Sequence, residues 1–86
     1  MDEARLRKLR FRAWRRGFRE FDLIMGPFAD RRLAALNDAE VEAFEALLDL
    51  PDQDVYAWVT GLEPTPAPFQ GTLMNQLRAF RLVEER

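Results

Sequence analysis

Apolar residues recur every three or four positions along most of the chain, which is the spacing of an amphipathic helix. Residues 4 to about 15 are rich in Arg, Leu and Ala, which favour helices, and their apolar positions begin two stripes. The first stripe is Leu6, Leu9 and Ala13, and the second is Phe11, Trp14 and Phe18. Gly17 interrupts the pattern, and an interior glycine usually marks a helix boundary or bend. The pattern therefore predicts a first helix that ends or bends near Gly17.

Two further helical segments are predicted before residue 37. The helical spacing resumes at Phe18, Phe21, Ile24 and Met25. Gly26 and Pro27 are expected to end this helix, because glycine is favoured just beyond a helix and proline cannot continue one. Proline is also favoured in a first helical turn, so Pro27 can open a short helix from Phe28 to Leu36.

The next two helices carry clear start and stop signals. Asn37 is a favourable N-cap, and Glu40 lies three residues further on, as in a capping box. The apolar stripe of that helix is Val41, Phe44, Leu47 and Leu48. Pro51 or Asp52 is predicted to begin the following helix, and Gly61 to end it. Its packing positions are Val55, Trp58, Val59 and Leu62.

A proline-rich segment and a last amphipathic stretch complete the chain. Pro64, Pro66 and Pro68 alternate with other residues, which favours an extended backbone. The last stretch places Leu73, Met74, Leu77 and Phe80 at helical spacing. It can dock on the core or fray at the chain end. We therefore divide the chain into a helical domain at 1–62, a linker at 63–69 and a C-terminal amphipathic helix at 70–86.

The whole pattern predicts an all-α fold. No segment alternates apolar and polar residues as a strand would, and the β-branched residues number four Val, one Ile and three Thr. A chain of 86 residues forms one small domain. We expect a small bundle of about five short helices, to which a C-terminal helix can be added. No long apolar run or signal-peptide core is present, so we expect no membrane insertion.

The composition argues against an enzyme, because the chain contains no Cys, His or Ser. These absences remove disulfides, thiolate metal sites, the commonest general base and a common nucleophile. Asp52 and Asp54 could together bind a divalent cation, but two acids at a helix start usually serve capping and the helix dipole. We therefore predict no catalytic residue, no metal site and no cofactor-binding residue on this chain.

The net charge of −2 conceals a strong asymmetry along the sequence. Residues 1–20 contain eight basic and three acidic side chains, whereas residues 36–65 contain eight acidic side chains and no basic one. A basic segment with interleaved aromatics can bind phosphates, so a nucleic-acid-binding or other protein-interaction module is an alternative function. The acidic segment and a pI near 5.1 oppose a long polyanion, and we expect no nucleic acid partner.

The stretch RRGFREFD, residues 15–22, resembles the Arg-Gly-x-x-Glu motif of the succinate dehydrogenase assembly factor 2 family. The motif falls on Arg16, Gly17 and Glu20, and Asp22 follows as it commonly does in that family. The downstream segments GPFAD, LNDAEVEAFEALLDLPD and DVYAWVTG also resemble the family, in the same order. The resemblance covers roughly residues 5–62.

The resemblance implies a chaperone-like assembly factor. The family binds the flavoprotein subunit of succinate dehydrogenase, and in some bacteria that of fumarate reductase, and promotes covalent attachment of FAD to a histidine of that subunit. By this resemblance FAD belongs to the partner, and no cofactor is bound stably here. The implied partner-binding residues are Arg16, Gly17 and Glu20, flanked by Arg15, Arg19 and Asp22.

The Arg-rich N-terminus also bears on location. Transit peptides are rich in Ser and poor in acids, whereas this segment has no Ser and contains Asp2 and Glu3. We therefore expect a bacterial cytoplasmic protein, and we expect it to be a monomer.

Overall fold

Five α-helices make up most of the chain in a computed structural model, which describes residues 2–84 and the side chains as far as Leu82. They are α1 (Glu3–Ala13), α2 (Arg19–Arg32), α3 (Asp38–Leu48), α4 (Asp52–Thr60) and α5 (Thr72–Glu84). Short 3₁₀ turns lie at Leu33–Ala35 and Ala67–Phe69, and no strand occurs within residues 2–84. The predicted all-α bundle is confirmed. Over the same residues, no helix is both long and apolar enough to cross a membrane.

Helix α2 runs through the position where the sequence predicted a break. The prediction that Gly26 and Pro27 end one helix and open another is wrong, because α2 continues to Arg32 and only a 3₁₀ turn follows. Pro27 offers no N–H to the carbonyl of Leu23, which weakens the helix locally. Phe28 and Ala29 are nevertheless fully buried, so the core contacts beyond the proline hold the helix together.

The predicted caps of α3 and α4 are confirmed. The side-chain oxygen of Asn37 accepts a hydrogen bond from the Glu40 N–H at 2.8 Å, and the Glu40 carboxylate accepts one from the Asn37 N–H at 3.0 Å. The following helix, α4, begins at Asp52 and stops at Gly61, whose φ of +79° is left-handed. Both caps depend on local signals, so the sequence is sufficient to place them. The prediction that Leu62 packs is wrong, because this residue lies beyond Gly61 and is exposed.

One hydrophobic core receives side chains from all five helices. Phe28 of α2 lies at its centre, with its ring 5.7 Å from that of Phe44 and 5.5 Å from that of Phe80. The buried residues of α5 are Leu73, Met74, Leu77 and Phe80. Helix α5 therefore docks on the core and does not fray away from it.

Glu40 connects the start of α3 to α5. Beyond its capping bond, the carboxylate accepts hydrogen bonds from the Thr72 hydroxyl at 2.8 Å and from the Gln76 amide at 2.7 Å. These bonds favour the charged form, and the one from the Asn37 backbone has the largest effect in lowering the pKa of Glu40 below its ordinary value of 4.5. A single carboxylate thus caps one helix and fixes a second.

The proline-rich segment is packed against the helices at both of its ends. Thr65 is buried, its carbonyl accepts a bond from the Gln70 amide at 2.9 Å, and its hydroxyl accepts one from Arg78 of α5. Phe69 stacks on Trp58 of α4 with the ring centres 5.2 Å apart. The division of the chain into segments at residues 62/63 and 69/70 stays a prediction.

The basic helix α1 lies against the acidic helix α3. Arg5 pairs with Glu45 at 2.8 Å, and Arg12 pairs with Asp49 at 2.5 Å. The hydrogen bond to Glu45 raises the pKa of Arg5 above its ordinary value. Both pairs are partly solvated, and such pairs add little to stability. The charge asymmetry of the sequence therefore becomes, in part, an internal complementarity between two helices.

Candidate partner-binding surface

The predicted motif lies in the tight connection between α1 and α2. Helix α1 ends at Ala13 and α2 begins at Arg19, so residues 14–18 alone connect the two helices. Gly17 has a φ of +79°, a conformation that L side chains rarely adopt, and a Cβ there would meet no atom within 4 Å. The expected boundary at Gly17 is confirmed. The glycine is needed for the backbone turn, and it leaves this part of the surface open.

The Arg16 side chain binds this loop to the junction between α3 and α4 through hydrogen bonds. Its Nε donates to Asp52 Oδ1 at 2.9 Å, and its Nη2 donates to the Leu48 carbonyl at 2.5 Å. The side chains of Arg16 and Asp52 are only 13% and 20% exposed. Leu48 is the last residue of α3, so the cation also satisfies one of the carbonyls left free at a helix C-terminus.

Asp22 holds the same loop from the other side. Its carboxylate, in the first turn of α2, accepts a hydrogen bond from the backbone N–H of Arg16 at 2.8 Å. The Phe18 carbonyl accepts bonds from the backbone N–H groups of Phe21 and Asp22, which begin α2. Two side chains of the motif region, Arg16 and Asp22, are therefore engaged inside the molecule and fix the backbone of Gly17 between them.

The other predicted residues face solvent. Arg15, Gly17, Arg19 and Glu20 are exposed. The Arg15 guanidinium lies over the ring of Phe11, 4.4 Å from its centre. All six sequence-predicted residues thus lie together on the loop and the first turn of α2, four of them outward and two inward. That they bind a partner stays a prediction.

A shallow groove of about 430 Å³ adjoins the loop. Its lining is Arg16, Gly17, Phe18, Pro51, Asp52 and Gln53. The lining does not fit the phosphates of a flavin nucleotide, because Arg16 is already paired and the Asp52 carboxylate repels anions. No group of three or more potential metal ligands occurs in the described part of the chain. The absence of a stably bound cofactor stays a prediction.

Trp14 and Gly26 form a contact that the sequence did not indicate. A Cβ on Gly26 would lie 2.3 Å from Cδ2 of the Trp14 indole, so the ring rests directly on the α2 backbone. The indole N–H donates to Asp30 at 3.1 Å, and the ring is 40% exposed. Gly26 is therefore a packing site for an aromatic ring and not the helix terminator that we predicted.

The model of one protein family, described as "Flavinator of succinate dehydrogenase", matches residues 7–81. Proteins named mitochondrial succinate dehydrogenase assembly factor 2 are similar to the chain. The protein from Mycosarcoma maydis is 40% identical over 76% of this chain and 27% of its own length. That from Meyerozyma guilliermondii is 36% identical over 77% of the chain and 50% of its length. That from Danio rerio is 28% identical over 98% of the chain and 56% of its length.

The chain spans about half or less of the length of most curated relatives it matches. No solved structure matches it significantly. The relatives come from eukaryotes and are named as mitochondrial proteins, which contradicts our expectation of a bacterial cytoplasmic protein. The match over residues 7–81 extends beyond residue 62, where the motif resemblance ends, and the chain belongs to the family of flavinators of succinate dehydrogenase.

Proposed function

We propose that this chain binds the flavoprotein subunit of succinate dehydrogenase and promotes covalent attachment of FAD to that subunit. Its family and the names of its relatives support the proposal. The structural observation that carries it is the Gly17 loop, which is exposed and yet fixed from two sides by Arg16 and Asp22. A surface held in one conformation loses little entropy when a partner binds it.

The contact would be made by the outward side of the loop. Gly17 has no side chain, so the backbone of another protein can approach it closely. Arg15 and Arg19 offer guanidinium groups that suit carboxylates, and Glu20 offers a carboxylate of its own. Arg16 acts through the loop, because its Nε and Nη2 donors are already engaged by the Asp52 carboxylate and the Leu48 carbonyl.

The chain would supply binding and orientation, while the bond-forming chemistry and the FAD belong to the flavoprotein. The lack of Cys, His and Ser supports this division of labour. We expect the loop to hold a mobile domain of the flavoprotein in a geometry that favours attack on the flavin. A single copy of the chain presents the whole surface, so we propose that it works as a monomer.

The test measures covalent flavin on the denatured flavoprotein subunit by fluorescence in a gel. Cells that lack the protein receive the wild type, Gly17→Arg or Glu20→Ala. Gly61→Arg is the matched control, because Gly61 has the same φ of +79° and the same open surroundings. Glu42→Ala, on the exposed face of α3, controls for loss of a carboxylate.

We expect covalent flavin to be restored by the wild type and both controls, and to be lost or strongly reduced with Gly17→Arg and Glu20→Ala. Undiminished covalent flavin in cells without the protein would refute the proposal. A parallel measurement on a fumarate reductase flavoprotein tells whether that subunit is a second target. Steeply salt-dependent binding to random duplex DNA would instead favour the nucleic-acid alternative.

A further inference from the structure

Two helix faces meet at the contact between Trp14 and Gly26. Arg7 and Phe11 of α1 and Trp14, its C-cap residue, follow one another at spacings of four and three residues, so they lie along one face. On α2, Arg19, Leu23 and Gly26 repeat the same spacing. Because the Trp14 ring rests on Gly26, the two faces meet at this contact.

Three large apolar side chains of these faces are exposed to solvent. Phe11, Trp14 and Leu23 are 60%, 40% and 55% exposed. They are three of the five large apolar side chains that are exposed in the described part of the chain. Single exposed apolar residues need no explanation, but a contiguous set rimmed by charge marks an interaction site.

The rim of this surface is basic. Within the described residues, Arg7, Arg15 and Arg19 form no ion pair, whereas the three arginines on the other side of α1 and its loop each pair with a carboxylate. Arg15 stacks on Phe11, which holds its cation beside the apolar ring. Asp30 lies at the edge, where it accepts the indole hydrogen bond.

We propose that this basic aromatic surface, formed by Arg7, Phe11, Trp14, Arg15, Arg19 and Leu23, docks an acidic protein surface that carries an apolar side chain on the flavoprotein subunit. The proposal rests on the proposed function and extends it. Arg15 and Arg19 belong both to this surface and to the outward side of the Gly17 loop, so one partner can cover both. Trp and Arg are the residue types most enriched at the energetic centres of protein interfaces. The cationic rim selects an acidic partner.

The experiment measures the dissociation constant between the full chain and the purified flavoprotein subunit. Phe11→Ser and Leu23→Ser remove the apolar side chains, and Leu62→Ser is the control, because Leu62 is 73% exposed at the far end of α4. We expect each of the first two to raise the dissociation constant about tenfold, and the control to leave it unchanged. All three side chains are exposed, so thermal unfolding should show folded variants.

The charge of the rim is tested by salt. We expect Arg7→Gln and Arg19→Gln to weaken binding and to make it less sensitive to added sodium chloride. Arg7 lies outside the motif, so its effect reports on this surface and not on the Gly17 loop.

Each alternative outcome leads to a definite conclusion. If Phe11→Ser and Leu23→Ser bind as the wild type does while Glu20→Ala weakens binding, this surface is not part of the contact and the proposed function stands. If the wild type shows no affinity for the flavoprotein, both proposals fail. If Phe11→Ser reduces binding to phosphatidylserine vesicles or duplex DNA but not to the flavoprotein, the surface serves a membrane or a nucleic acid and our proposal is wrong.

Discussion

Replacing Gly26 by Ala tests the packing of Trp14 most directly. In the middle of a helix this change normally stabilises a protein by about 1 kcal/mol, because Ala is the better helix former. Here the new Cβ would lie 2.3 to 2.6 Å from three atoms of the indole. The ring must move, since real carbon atoms do not approach so closely.

The cost follows from what the ring loses when it moves. Overpacking of this kind costs about 1–3 kcal/mol, and the hydrogen bond from Trp14 to Asp30 adds about 1 kcal/mol. After the gain in helix propensity is subtracted, we expect Gly26→Ala to lower the free energy of unfolding by about 1–3 kcal/mol. In a Trp14→Ala background the clash is absent, and Gly26→Ala should raise the free energy of unfolding by about 1 kcal/mol.

The assay is urea unfolding of the four proteins of this double-mutant cycle, followed by far-UV circular dichroism. The sign of the Gly26→Ala effect should reverse between the two backgrounds, giving a coupling energy of about 2–4 kcal/mol. If Gly26→Ala is stabilising in the presence of Trp14, the indole does not rest on the α2 backbone, and the meeting of the two helix faces inferred from that contact is wrong.

Three further predictions concern the loop, the pH response and the last helix. Arg16→Gln should lower the free energy of unfolding by about 2 kcal/mol. A urea-unfolding cycle that combines it with Asp52→Asn should show coupling between the two changes, whereas additive effects would mean that the Arg16–Asp52 pair is not formed. The contribution of the lowered pKa of Glu40 is present above pH 4.5 and is lost as pH falls through the folded-state value. The urea midpoint of the wild type should therefore fall more between about pH 5 and 3 than that of Glu40→Gln, and equal losses would contradict this. Leu77→Ala, fully buried in α5, should cost about 3 kcal/mol, whereas a loss below about 1 kcal/mol would show that α5 is not part of the core.

The elements that the sequence predicted well are those set by local signals. The capping box of Asn37 and Glu40 and the stop at Gly61 depend on residues within a single turn, so their spacing is sufficient. The break at Gly26 and Pro27 was predicted by the same local rules and is wrong. There the tertiary contacts of Phe28 and the approach of Trp14 outweigh the preference of proline to end a helix.

In the candidate site, too, the sequence could predict the features set by local residues but not those set by distant ones. The sequence grouped the six motif residues correctly, because they are close along the chain and Gly17 marks the turn. It could not tell that Arg16 is turned inward, since its partners Asp52 and Leu48 lie more than thirty residues away in sequence. Asp52 was interpreted as a helix-start residue, which it is, but pairing with Arg16 is a second role that no local pattern reveals.

The ion pairs of α1 also bear on how the chain folds during synthesis. Helix α1 has 11 residues, and an isolated helix of that length is marginal in water, the more so when its like charges repel. The arginines of α1 pair with Glu45 and Asp49, and the arginine of the following loop pairs with Asp52. A nascent chain therefore carries an unpaired, Arg-rich N-terminal segment until residues 45–52 have left the ribosome. Helix α1 is made before its partners, so it is fixed only after residues 45–52 have appeared, and until then its arginines are open to other acidic surfaces.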